Sequence, residues 1–234
     1  FNKVKKYKIA KLVLVIASLY FYAYFNIKYL FIIVISILIN YLINRIFRKL
    51  KNKKFRKILL VIGVAFNIGM IFYYKYYDFV INTINSLAST NFNLINVMLP
   101  LGISFFTFQQ MAYVIDSYKG EVKDYTLLDY SLFVTFFPQL IAGPITLYSE
   151  MIPQFENENN KKFSSENFSK GLLAFSFGIA KKVLIADTFA IAANYVFANP
   201  TDTNSTNLIL GMLSYTFQIY FDFSGYCDMA LGLG

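Results

Sequence analysis

The chain carries hydrogen-bonding and ionisable side chains inside stretches that are otherwise hydrocarbon, and three groups of them have spacings that could do chemistry. The first lies in PLGISFFTFQQMAYVIDSYKGE, Pro100 to Glu121. On a helix, Gln109, Tyr113 and Asp116 stand at i, i+4 and i+7 and share one face. That face would line a polar interior with an amide, a phenol and a carboxylate. The alternative places Asp116 at a water interface and lets Gln109 bond a neighbouring helix. The second group is FFPQLIAGPI, Phe136 to Ile145. Pro138 and Pro144 have no backbone donor and Gly143 is conformationally permissive, so the helix should break here. Irregular backbone at membrane depth is tolerated where it is buried in protein or lines a cavity, and Gln139 could then offer a donor and an acceptor to a passing substrate. The competing reading is a kinked helix with a packing role. The third group is QIYFDFSGYCDMALGLG, Gln218 to Gly234, in which Ser214, Gln218, Asp222 and Tyr226 form a slowly drifting stripe. Ser224 and Asp228 are also i, i+4, on roughly the opposite side. Two carboxylates in an apolar run need partners or water, unless the helix ends at the interface, where Asp is cheap.

Other chemistries are missing. The chain has no histidine and a single cysteine, Cys227, which excludes a disulfide framework and metal sites built from His or several Cys. Cys227 as a nucleophile would need an activating base, and no His exists to supply one. Phosphate-binding glycine loops, the GxSxG elbow and CxxC pairs are absent. Lys181 and Lys182, in GIAKKVLIADTFA, split a long apolar stretch; they can snorkel to a membrane surface, and Lys182 lies near helical reach of Asp187.

The elements that must position these groups are membrane helices. Of the 234 residues, 57% are hydrophobic and only 15% charged, against about 25% charged in soluble domains. Fifteen Lys or Arg precede the first acid, Asp78, and the remainder holds seven basic and thirteen acidic residues. Lys3, Lys5, Lys6, Lys8 and Lys11 lead into an apolar run from Leu12 to Phe25; a second run spans Tyr29 to Ile43 and a third Ile58 to Tyr74. A crossing helix needs about 17–25 residues, so each run can span with its flanks as anchors. The expected layout is a helical hairpin over 9–44, a cytoplasmic basic loop over 45–57, a third helix over 58–77 and a motif-bearing region over 98–234. The basic loop fits the positive-inside rule, and its place between two membrane-length runs argues against a nucleic-acid patch. No small-residue cleavage site follows the first run, so it is not a signal peptide. The polar stretch from Asp78 to Val97 is expected as an extracytoplasmic loop or a surface-lying helix. Strand-like alternation is absent, which argues against a β-barrel. The fold class expected is all-α, a polytopic transmembrane bundle with broken or re-entrant helices. Phe1 and the apolar Leu231-Gly232-Leu233-Gly234 end read as cuts in a longer chain.

The four strings PLGISFFTFQQMAYVIDSYKGE, DYSLFVTFFPQLIAGPI, GIAKKVLIADTFA and QIYFDFSGYCDMALGLG, with ASLYFYAYFNIKYLFIIVISILINYLI near the start, resemble the membrane-bound O-acyltransferase superfamily. The likeness is to its bacterial branch of alginate, peptidoglycan and other polysaccharide O-acetylases. It implies helices around a central funnel and transfer of an acetyl group from a cytoplasmic donor, acetyl-CoA or another acyl thioester, toward hydroxyls of an extracytoplasmic glycan. It also implies residence in the bacterial inner membrane, a separate extracytoplasmic acetyltransferase as partner, no bound cofactor and no nucleic acid. The family's catalytic histidine is expected beyond Gly234, so these 234 residues alone should be inactive. The break at 136–145 and the polar positions of 218–228 are expected to line the funnel. Cys227 stands where relatives are expected to have Ser. A hydroxyl acceptor needs a general base working near neutral pH, whereas Asp is ordinarily too acidic and Lys too basic. Two other functions fit less well: D-alanyl transfer to teichoic acid by a related branch, and a transporter or flippase using the broken helix as its binding site.

Overall fold

The computed structural model describes residues 7–122, 126–140, 143, 146–157, 160, 162–199 and 204–234. Among these the regular structure is entirely helical. The chain divides into two compact units, residues 1–141 with 145–162 and residues 142–144 with 163–234.

In the first unit, α1 (Tyr7–Phe25) and α2 (Ile27–Lys49) are separated by Asn26 alone, whose side chain accepts a hydrogen bond from Lys28 N and starts α2. Asn52 does the same for α3 (Lys53–Ile71) through Lys54 N. Between α2 and α3 only residues 50–52 are non-helical, so most of the basic stretch 45–57 belongs to helix ends rather than to a loop. Lys and Arg are good helix formers, and Asn52 provides a start signal inside the cationic run. α3 then passes through a π-helical turn, Phe72–Tyr76, into α4 (Tyr77–Ala88). The third helix therefore begins before residue 58 and continues past 77. Part of the expected polar loop is this helical extension, and residues 90–100 are irregular. Asp78 tethers that segment by accepting from Ile95 N (2.8 Å) and Asn96 N (3.0 Å). α1, α2 and the continuous helix Lys53–Ala88 are long and apolar enough to cross a membrane.

The rest of this unit is α5 (Ile103–Lys119), α6 (Leu127–Thr135), the one-turn α7 (Phe137–Leu140) and α8 (Tyr148–Glu156). Its core centres on stacked Tyr113 and Tyr130, with ring centroids 4.2 Å apart, flanked by Phe133 and Tyr148. Lys11 is also buried, in an ion pair with Asp129. Asp129 closes a capping box with Thr126 at the start of α6. Sequence patterning grouped Lys11 with the basic flank, but it stands on α1 and is only 3% exposed.

The second unit pairs two long helices. α9 (Ser165–Ala180) continues through a π-helical turn, Lys181–Ala186, into α10 (Asp187–Ala198), and α11 (Ser205–Leu233) runs antiparallel to both. Glycines bring the backbones together. A Cβ on Gly178 would lie 2.5 Å from the Gly225 carbonyl oxygen, and one on Gly171 would lie 2.7 Å from that of Gly232. This is the small-residue packing by which membrane helices approach closely.

Candidate functional site

Where α11 meets the π-helical turn that follows α9, a cluster of charges lies inside apolar sequence. Lys181 Nζ lies 2.6 Å from Asp228 Oδ2 and donates to Ser224 Oγ at 2.9 Å. Lys182 Nζ lies 2.6 Å from Asp187 Oδ1 and 3.0 Å from Asp222 Oδ1. Two ammonium groups thus meet three carboxylates. The lysines are adjacent in sequence yet serve different acids, and both lie in the π-helical turn, a feature frequent at functional sites. Lys181 and Asp228 are about one-third exposed, whereas Lys182 and Asp222 are more open at 41% and 52%. One turn from Asp222, Gln218 Oε1 is buried without a hydrogen-bond partner. Tyr226 is half-buried.

The stripe read from the sequence is thereby divided by its partners. Asp222 pairs with Lys182, while Ser224 and Asp228 on the other side pair with Lys181. Spacing alone suggested the Lys182–Asp187 contact. The Lys181–Asp228 pair joins residues 47 apart and has no local signature.

The first unit contains a second polar assembly, fully buried. Gln110 Oε1 accepts from Asn40 Nδ2 (2.8 Å), Ser36 Oγ (3.2 Å) and Tyr130 OH (3.2 Å), and Gln110 Nε2 donates to Ser36 Oγ (2.9 Å). Asn67 Nδ2 donates to Asn40 Oδ1 (2.7 Å) and to the Gly63 carbonyl (2.8 Å). Tyr113 is bonded to Asn44 through its hydroxyl. Gln109 is buried, but Gln110 is the hub of this network. Asp116 is half-buried near the end of α5, where its carbonyl accepts from Gly120 N and Glu121 N. Sequence reading passed over Ser36, Asn40, Asn44, Asn67 and Gln110. Asn at 40, 44 and 67, within apolar runs, was the available signal, because a buried amide needs partners.

At the 136–145 segment the helix stops at Phe136, whose ψ of 105° leaves the helical region. Pro138 is buried in the first turn of α7, where its missing N–H costs little. Gln139 is engaged locally: Nε2 lies 3.3 Å from Thr146 Oγ1 and 3.0 Å from Met151 Sδ. Gly143 is buried, and Pro144 lies outside the described residues. The Gln109–Asp116 face and Gln139 are in the first unit, and Gln218–Asp228 is in the second.

Chemically, the lysine–carboxylate cluster can hold and orient a polar group and place charge in an apolar setting. Its ammonium groups are occupied by carboxylates, and with no imidazole in the chain it provides no ordinary general base for a hydroxyl. No group of three or more Asp, Glu, Cys or His with metal-ligand geometry occurs among the described residues.

Residues 64–234 match the family described as MBOAT, membrane-bound O-acyltransferase. Among characterised sequences, the chain is 41% identical to a peptidoglycan O-acetyltransferase of Helicobacter pylori, over 96% of this chain and 47% of that protein. It is 38% identical to a probable alginate O-acetylase of Pseudomonas aeruginosa, over 95% of this chain and 43% of that protein. A teichoic acid D-alanyltransferase of Bacillus subtilis is 28% identical over 59% of this chain and 35% of its own length. The chain thus spans less than half the length of these curated relatives.

Proposed function

Since the chain belongs to the membrane-bound O-acyltransferase family, we propose that its protein transfers an acetyl group from a cytoplasmic thioester donor, such as acetyl-CoA, toward hydroxyls of an extracytoplasmic cell-envelope polysaccharide. The supporting observation is the 41% identity to a peptidoglycan O-acetyltransferase along 96% of this chain. D-alanyl transfer has weaker support, because the likeness to a D-alanyltransferase is 28% over 59% of the chain. A transporter or flippase has no comparable support.

In the proposed reaction an acceptor oxygen attacks the thioester carbonyl, a C–O bond forms, the C–S bond breaks and the thiol leaves with a proton. A general base must take the acceptor's proton. This chain contains no histidine, and we assign the base to a histidine in the portion of the relatives' length that these residues do not cover. The role of this chain is then the wall of the acyl path. Lys181, Lys182, Asp222 and Asp228 hold charge within apolar helices, Ser224 accepts from Lys181, and Gln218 Oε1 keeps an unused acceptor one turn from Asp222. Gln139, with Pro138 beside it, is a second candidate for that role. The protein is integral to the membrane; residence in the bacterial inner membrane as a multi-pass protein, and work with a separate extracytoplasmic acetyltransferase, belong to the same proposal.

The test is glycan acetylation in cells expressing the full-length protein with Asp222→Ala or Gln139→Ala. Lower ester content at unchanged protein level is expected for each, with D-alanine esters unaffected. Wild-type acetylation in both variants removes these residues from the acyl path. Loss of D-alanine esters instead transfers the protein to the other branch of the family.

A further inference from the structure

Beside the π-helical turn of the third helix, an open groove of about 330 Å³ runs between α3 and α5. Ile68, Phe72 and Met111 form an apolar wall, and Lys75, Tyr76 and Ser104 bring polar groups to its margin. The helix carrying this groove is mostly uncovered: only 11% of its apolar stretch is buried by the rest of the protein. Ile68 and Phe72 are themselves 54% and 45% exposed, so in a bilayer this face meets acyl chains.

Depth follows from helix geometry. Lys75 is 22 residues along from Lys53, where α3 leaves the basic turn. At about 1.5 Å per residue that is about 33 Å, close to the roughly 30 Å thickness of a hydrocarbon core. With the cationic start of α3 at one interface, the Lys75 ammonium stands at headgroup level in the opposite leaflet. Lys75 lies 5.5 Å from the Tyr76 ring centroid, an arrangement that keeps the cation at the groove margin. The nearest acid in sequence, Asp78, is turned to the backbone of Ile95 and Asn96. An acyl-sized apolar slot with a cation at its interfacial end is complementary to one kind of molecule abundant at that depth.

We propose that this groove is a binding site for an anionic phospholipid, with one acyl chain along Ile68, Phe72 and Met111 and the phosphate on Lys75. The π-helical turn builds the site, since Phe72, Lys75 and Tyr76 all belong to it.

The full-length protein, reconstituted in phosphatidylcholine nanodiscs, is photolabelled with a phosphatidylglycerol carrying a photoreactive acyl chain, and labelled peptides are mapped by mass spectrometry. Labelling is expected to concentrate on the peptides holding Phe72 and Met111, and unlabelled phosphatidylglycerol should compete with it. Lys75→Gln should lower labelling about tenfold, the scale of one lost charge-assisted hydrogen bond, whereas Lys75→Arg should retain it. Ser104→Phe, which fills the groove and keeps the lysine, should also abolish labelling, with an unchanged gel-filtration profile confirming a folded protein. Equal competition by phosphatidylcholine, displacement by inorganic phosphate, or labelling spread evenly over the exposed faces of α1 to α3 would overturn the proposal. So would full labelling of the Lys75→Gln variant.

Discussion

Lys11 and Lys181 show how differently one residue type behaves in this chain. Lys11 is buried against Asp129, so Lys11→Met should leave a carboxylate without its cation and destabilise the protein by about 3–5 kcal/mol. The measurement is thermal unfolding of the full-length protein in detergent. The double variant Lys11→Met with Asp129→Asn, which removes the charge and keeps an acceptor for the Thr126 cap, should recover much of the loss, and equal losses in single and double variants would show that the pair is not the cause. Lys181 is partly open, so Lys181→Ala should cost less, about 1–3 kcal/mol, and more than Lys182→Ala. Lys182 and Lys11 mark what sequence could and could not convey. Asp187 is five residues from Lys182, within local reach, whereas Asp129 is 118 residues from Lys11 and only the folded chain brings them together. The choice between Gln109 and Gln110 illustrates another limit. Neighbouring helix positions differ by about 100° in direction, and which of two adjacent amides heads a network depends on where α2 and α6 lie.

For the helices themselves, hydropathy and charge were sufficient to mark α1, α2 and the helix from Lys53 as long and apolar enough to cross a membrane, because such a span leaves a long uniform signal. Their ends were less legible. Lys and Arg that looked like loop composition are helical from Lys53 onward, and the turn is set by the single cap Asn52. Proximity of α9 and α11 was also hidden, since Gly171, Gly178, Gly225 and Gly232 have meaning only in pairs across the contact. Gly178→Val should therefore force these helices apart and abolish a folded gel-filtration peak. Gly69→Ala provides the contrast: a Cβ there meets nothing within 4 Å, and removing a helical glycine should be neutral or stabilising by up to about 1 kcal/mol. If both variants behave alike, backbone contact is not what holds α9 to α11.

For the molecule as a whole, the distribution of cations sets the orientation expected in the bilayer. With Cys227 replaced by Ser, a cysteine introduced at Lys51 should react with a membrane-impermeant maleimide from the cytoplasmic side, and one at Lys28 from the outside. Labelling of both from one side would refute the hairpin. The cluster between α9 and α11 also constrains how the protein is made. If these helices enter lipid, each lysine or aspartate left unpaired near its centre costs about 2.5–3.5 kcal/mol on insertion scales, and Lys181 meets Asp228 only after α11 has been synthesised. Releasing α9 and α10 into lipid early would expose two ammonium groups with only Asp187 to answer them. Biogenesis is easiest if the insertion machinery retains this helix until α11 follows, so that the two leave together as a hairpin in which both ammonium groups are paired.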